Sequence, residues 1–282
     1  MLIKLIKYEF KATWRKFLPI YGILIVFTII SKLTNGFKGG YQATDVSGSI
    51  SKLVSELSMF LQVACIIGLI AVTLYVIVER FYKNFFGDEG YLTFTLPISP
   101  WRHLTAKLTA SVFWTMVSII IGIVSLLISY YDGSAFNSIY NGYGQILGGT
   151  NSIYENIVLS FYIRFGIDII SLAKTIMLAV FAGYICEILM IYLSISVGHL
   201  FFKNKKLASF GAYLIFSIVV RVISFITMFL VGFVNEEQWL TVNSLNNGLS
   251  IILVVGVGTS VILAIIFWTV LEEIINKKLN LE

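Results

Sequence analysis

Apolar residues arrive along this chain in long unbroken runs, and polar residues collect in the gaps between them. Six runs stand out: Phe17 to Leu33, Leu57 to Val78, Leu108 to Tyr131, Ala173 to Phe201, Leu207 to Val234 and Leu249 to Leu271. Crossing a hydrocarbon core about 30 Å thick takes about 20 helical residues. None of the runs alternates at period two as a barrel strand would, so helices satisfy their backbone best. The pattern predicts an all-α integral membrane protein with six transmembrane helices in a single transmembrane domain, residues 1–282.

Composition points the same way. Hydrophobic residues make up 58% and charged ones 12%, with a mean hydropathy of +0.90, which lies outside the range of soluble domains. Lysines precede the first run, but Leu33-Thr34-Asn35-Gly36 offers no small-residue cleavage pattern, so this run is expected to be a retained helix.

Charge then sets orientation. With six spans and a cytoplasmic N-terminus, the inner segments hold Lys4, Lys7, Lys11, Arg15, Lys16, Arg80, Lys83, Arg102, Lys107, Lys203, Lys205, Lys206, Lys277 and Lys278, fourteen of the 20 basic residues. That bias predicts both termini in the cytoplasm. The net charge of +5 is accounted for by topology and anionic inner-leaflet lipid, and it calls for no nucleic-acid partner.

Two cytoplasmic segments carry organised patterns. In residues 1–16, Leu2, Leu5, Ile6, Phe10, Thr13 and Trp14 follow helical spacing that continues to Phe17, opposite a stripe of Lys4, Lys7, Lys11 and Arg15. This predicts an N-terminal amphipathic helix in the membrane interface, anchored by Phe10 and Trp14. The alternative is a basic flank that only sets topology. In the loop over residues 79–107, Asp88 is positioned to cap a short helix through Glu89, Gly90, Tyr91, Leu92, Thr93, Phe94, Thr95 and Leu96, which Pro97 ends. Ser99 and Pro100 then read as cap and first residue of the next helix. The loop is a stiff helix-turn-helix; the alternative is an ordinary interfacial helix with aromatic anchors.

At Asp88 to Ser99 the chain resembles the membrane subunits of type-2 ATP-binding-cassette exporters. The likeness is to small Gram-positive permeases carrying Asp-Glu-Gly-Tyr-Leu-x-Phe-Thr-Leu-Pro-x-Ser between spans two and three. The resemblance implies that this loop is a coupling helix docking on an ATPase subunit, and that residues 1–16 are the elbow before span one. It implies a permease that exports its substrate through the bacterial cell membrane, with a second permease, identical or related, completing the path. The substrate expected from the aliphatic and aromatic walls is an amphipathic or hydrophobic molecule: an antimicrobial peptide, a lipid-like compound or a drug.

Other chemistry is thinly represented. No GxxxxGK[ST] loop is present, so the chain is expected not to be an enzyme and to hold no cofactor, with ATP and magnesium on the partner. Cys65 and Cys186 fall within predicted spans and form no disulfide framework. His103 and His199 lack neighbouring ligands at metal-binding spacing, and without histidines on other spans Glu272-Glu273 does not make a metalloprotease. The outer segment, residues 132–168, is rich in Gly, Asn, Ser and Tyr and reads as an interfacial cap or a substrate contact.

Two charges stand inside spans. Counted from the predicted span ends, Glu187 and Arg221 each lie about 21 Å from the cytoplasmic boundary, at matching depth on neighbouring antiparallel helices. A direct intramembrane ion pair is expected, serving as a structural clamp or as a polar hinge or substrate contact. Gly68, Gly122, Gly183, Gly198 and Gly211 are candidates for close helix approach, and Gly256-Val257-Gly258 for a bend. Alternatives to the exporter are an ion-coupled secondary transporter and a non-transporting membrane assembly protein.

Overall fold

The computed structural model describes residues 2–36, 46–87, 99–130, 162, 168–201, 204–234 and 242–277. These form six helices: α1 Leu2–Gly36, α2 Val46–Phe86, α3 Pro100–Tyr130, α4 Ile169–Gly198, α5 Lys205–Val234 and α6 Val242–Lys277. Each is long and apolar enough to cross a membrane, and no strand is present among the described residues. Every helix is longer than the 20 residues a crossing needs, because hydropathy marks only the part that meets hydrocarbon. α2, at 41 residues, runs about 60 Å.

The chain divides into two compact units, Met1–Asp132 and Gly133–Glu282, with three helices in each. In the first, α1 packs on both α2 and α3. α3 begins at Pro100, as the Ser99-Pro100 grammar anticipates, and the Arg102 amide donates to the Ser99 carbonyl at 3.0 Å. α1 is a single helix, so residues 2–16 are not set off from the span that follows. Pro19 lies inside it and removes the amide that would bond the Arg15 carbonyl, yet the helix continues across.

Beside buried Leu24, Leu69, Val76 and Ile77, the interior of the first unit holds a seam of small polar residues. Ser111, Thr115, Ser118, Gly122, Ser125 and Ser129 recur on α3 at alternating steps of four and three, and all are buried. Facing hydroxyls meet them: Tyr21 and Thr73 reach Ser118 Oγ at 2.9 and 3.2 Å, and Thr28 reaches Ser125 Oγ at 2.7 Å. Gln62 of α2, also buried, donates to Ser125 Oγ at 2.9 Å and to the Ser125 carbonyl at 3.0 Å. Between these positions Ile119, Ile120, Ile123, Val124, Leu127 and Ile128 point outward. Small residues let backbones approach where lipid is as apolar as the helix, and each interhelical hydrogen bond adds on the order of 0.6 kcal/mol.

The second unit is built around α4, which packs on α5 and α6 and buries Ile188, Leu189, Met190, Tyr192, Leu193 and Ile195. Asp168 caps it by accepting from the Ile170 amide at 3.1 Å. α6 contributes Phe267, Leu271, Ile274 and Ile275. It runs unbroken through Gly256-Val257-Gly258, where the Gly256 carbonyl accepts from the hydroxyls of Thr259 and Ser260 at 3.0 and 2.8 Å.

Of the five glycines expected to permit close approach, Gly198 does so. A methyl there would overlap the hydroxyl and backbone of Ser209, whereas Gly68, Gly122, Gly183 and Gly211 have open space. Just before α5, Asn204 has φ 55°, and its carbonyl accepts from the Ala208 amide at 3.0 Å. Gly198→Ala should therefore cost about 1–3 kcal/mol by forcing α4 and α5 apart. Gly183→Ala should be neutral or stabilise by up to about 1 kcal/mol through helix propensity. Thermal unfolding of the two variants in detergent checks this; equal midpoints would contradict the close approach.

Candidate functional site

A network of charges in the first unit sits at the end of its bundle where α1 begins, α2 ends and α3 begins. Glu9 is the centre. Its carboxylate accepts from Lys107 Nζ at 2.8 Å and from Arg80 Nη2 at 3.0 Å, tying α1 to both other helices. A second acid, Glu79, pairs with Lys16 of α1 and with Lys83 at 2.7 Å on its own helix. Lys107 is only 5% exposed, and its ammonium lies 5.7 Å from the Phe85 ring centroid. Phe81 and Phe85, both fully buried, pack at 4.9 Å beside it, and His103 is buried on the same stretch of α3.

This lock explains where the N-terminal pattern goes. Phe10 packs on Phe113 and Trp114 of α3 at 4.8 and 6.0 Å, and Phe17 stacks on Trp114 at 4.8 Å. Thr13 is buried and donates to the Glu9 carbonyl at 2.7 Å. Phe10, expected in the acyl boundary, is thus a packing residue of the bundle. Lys4, Lys7, Lys11, Trp14 and Arg15 are exposed on the other side of α1, so a basic stripe remains open. The coupling residues Asp88, Glu89, Gly90, Tyr91, Leu92, Phe94, Leu96 and Pro97 lie outside the described residues, as does the outer segment apart from Tyr162 and Asp168.

A second polar place lies within the second unit, between α4 and α5. A cavity of about 460 Å³ is lined by Glu187 and Met190 of α4 and by Ser217, Val220, Arg221 and Ser224 of α5. The expected Glu187 to Arg221 ion pair is not formed. Glu187 Oε1 instead accepts from the Tyr213 hydroxyl at 2.8 Å, and Arg221 Nε reaches Ser217 Oγ at 3.4 Å, a long contact on its own helix. The reason is the turn. α4 ends at Gly198 and α5 starts at Lys205, so Glu187 stands about 16 Å and Arg221 about 24 Å from the connection. Tyr213, about 12 Å in, has the shorter axial offset and a long reach. A guanidinium at mid-span costs about 2.5–3.5 kcal/mol even on insertion scales.

Among the described residues, no three His, Cys, Asp or Glu side chains group as a metal site, and Cys65 and Cys186 are free thiols. No protein-family model, curated protein or solved structure matches the chain. Function is therefore read from these two places.

Glu9 and Glu79 do not emerge from the sequence when only basic residues are weighed at the ends of the spans. The signal was present: Glu9 sits on the apolar stripe of α1, among Leu5, Ile6, Phe10 and Thr13, where an acid needs a partner.

Two outcomes are expected. Glu9→Gln withdraws the carboxylate from Lys107 and Arg80 and should destabilise by about 3–5 kcal/mol, as breaking a buried pair does. Glu79→Gln should cost under about 1 kcal/mol, because its cations are 40% and 60% exposed. Denaturation midpoints of the two variants check the contrast, and equal losses would refute the lock. In the α4–α5 turn, burial pushes the His199 imidazole down from 6.5 to about 4, with Lys205 adding to the shift. The opened turn therefore binds a proton that the closed turn excludes. Protection against hydrogen exchange, corrected for intrinsic rate, should be complete above about pH 6.5 and fall as pH drops toward 4, and His199→Asn should flatten that dependence.

Proposed function

We propose that the chain is the permease subunit of an ATP-binding-cassette exporter in a bacterial cytoplasmic membrane, moving an amphipathic or hydrophobic substrate outward. It works with ATPase subunits and a second permease, identical or related. The observation that carries the reading is the junction between sequence and lock. Asp88 to Ser99 joins the end of α2 to the start of α3, and those two ends are fastened to α1 through Glu9. A push on that connection from a moving ATPase is thereby delivered to three spans. The six apolar helices supply the membrane-embedded part.

In this mechanism the work is electrostatic and mechanical. ATP and magnesium bind on the partner, since this chain has no phosphate-binding loop. Approach of the ATPase subunits displaces the base of the first unit, and the path at the permease interface changes its exposure. The open stripe of Lys4, Lys7, Lys11 and Arg15 rests against anionic headgroups, each cation adding on the order of 1 kcal/mol.

A second reading, an ion-coupled secondary transporter, is favoured by one observation: a carboxylate, Glu187, within a span and hydrogen-bonded to a tyrosine.

Reconstitution with the ATPase separates the two. Glu89→Lys and Tyr91→Ala should each lower transport about tenfold or more while leaving membrane insertion and basal ATP hydrolysis in place. Normal transport and substrate-stimulated hydrolysis in both variants would remove the coupling assignment. Substrate accumulation by this chain alone, driven by a proton or sodium gradient, would establish the second reading instead.

A further inference from the structure

The cavity between α4 and α5 has an unusual balance of charge. Glu187 already accepts a hydrogen bond from Tyr213, whereas Arg221, among the described residues, makes no ion pair and no hydrogen bond beyond the long contact with Ser217. A guanidinium carries five donors in a fixed fork suited to carboxylate or phosphate. Ser217 and Ser224 line the same cavity and add two hydroxyls.

Position rules out an easy escape for the charge. Arg221 lies sixteen residues from the start of α5 and thirteen from its end, about 24 and 20 Å. An extended arginine cannot reach either interface by snorkelling from that depth. Around it Leu214, Ile218, Val222 and Phe225 are exposed and apolar. The surroundings therefore ask for a molecule with one anionic head and one hydrocarbon tail. The cavity is open on the side where Arg221 and Ser224 are exposed, and its volume of about 460 Å³ lies within the range of small-molecule sites, room for a carboxylate or phosphate head with several methylenes.

We propose that this cavity binds the anionic head of an amphiphile, with Arg221, Ser217 and Ser224 holding the head and the apolar face of α5 holding the tail. Glu187 sets the limit of the site. Tied to Tyr213, it borders the head-binding region and repels a second negative charge, favouring a singly charged head. The ligand class deepens the exporter reading by naming the chemistry of an amphipathic substrate. Its test needs no ATPase, so failure here leaves that reading standing.

The experiment is equilibrium binding of radiolabelled dodecyl sulfate, whose head carries one negative charge, to the full chain in phosphatidylcholine nanodiscs at concentrations below micelle formation. Saturable binding is expected, weakened about tenfold or more by Arg221→Gln and by Ser224→Leu, which fills the cavity while keeping the arginine. Arg221→Lys should weaken it less than Arg221→Gln does, and Glu187→Gln should leave it equal or tighter. Dodecyltrimethylammonium should not compete. Should Arg221→Gln fail to fold, Ser224→Leu decides. If phosphatidylglycerol added to the nanodisc displaces the probe, the natural occupant is a bilayer lipid; if it does not, the occupant is a free amphiphile. Unchanged binding in Arg221→Gln or Ser224→Leu, or displacement by the cationic amphiphile, would overturn the assignment.

Discussion

An apolar helix in hydrocarbon gains nothing by exchanging lipid for an equally apolar neighbour, so what joins helices here must be polar, small or both. That constraint organises the first unit. Many aliphatic side chains of α3 face outward, and beside buried Leu24, Leu69 and Val76 the interior carries the hydroxyl seam along Ser111, Thr115, Ser118, Ser125 and Ser129, met by Tyr21, Thr28, Gln62 and Thr73. Each contact is weak, yet together they fix the register of three helices. At one end the seam gives way to stronger chemistry, where one carboxylate holds two cations from two other helices. Fastening is thus concentrated at the end where α2 stops and α3 starts.

The second unit meets the same constraint differently. It relies on bulk, with Tyr192, Ile188 and Met190 in its core, and on the close passage of Gly198 past Ser209. α5 is less completely covered, and Arg221 lines an open cavity without bonding the Glu187 carboxylate that lines it too. A charge kept at that depth without a firm partner is a standing cost to the fold. A site that recruits its counter-ion from a ligand gives that cost a use, and it suits a protein whose walls otherwise offer only apolar surface.

Much of the architecture was legible in the sequence, because runs of about 20 apolar residues admit few alternatives. All six helices occur where the runs lie, and α3 starts at the Ser99-Pro100 signal. Less legible was anything that depends on axial register. The pairing of Glu187 with Arg221 was inferred from span ends that differ from the helix ends by a few residues, and that shift brings Tyr213 to the carboxylate first. Glu9 went unread because a lone acid among lysines looks like part of a solvated face. Only the stripe it occupies marks it as buried. The seam on α3 was readable as small residues at alternating steps of four and three, a pattern that hydropathy averaging hides.

Glu9 ties the base of the first unit into one body, and in the proposed exporter a displacement of the Asp88 to Ser99 connection would carry α1, α2 and α3 together. The most direct test is a spin-label distance between Tyr8→Cys on α1 and Trp101→Cys on α3, both exposed positions, with Cys65 and Cys186 replaced beforehand. In a complex with the proposed ATPase partner, without nucleotide and trapped with ATP, that distance should stay constant to within about 2 Å, the scale of a helix shift. In Glu9→Gln it should broaden or change on trapping. A wild-type distance that changes with nucleotide as much as in Glu9→Gln would contradict the claim.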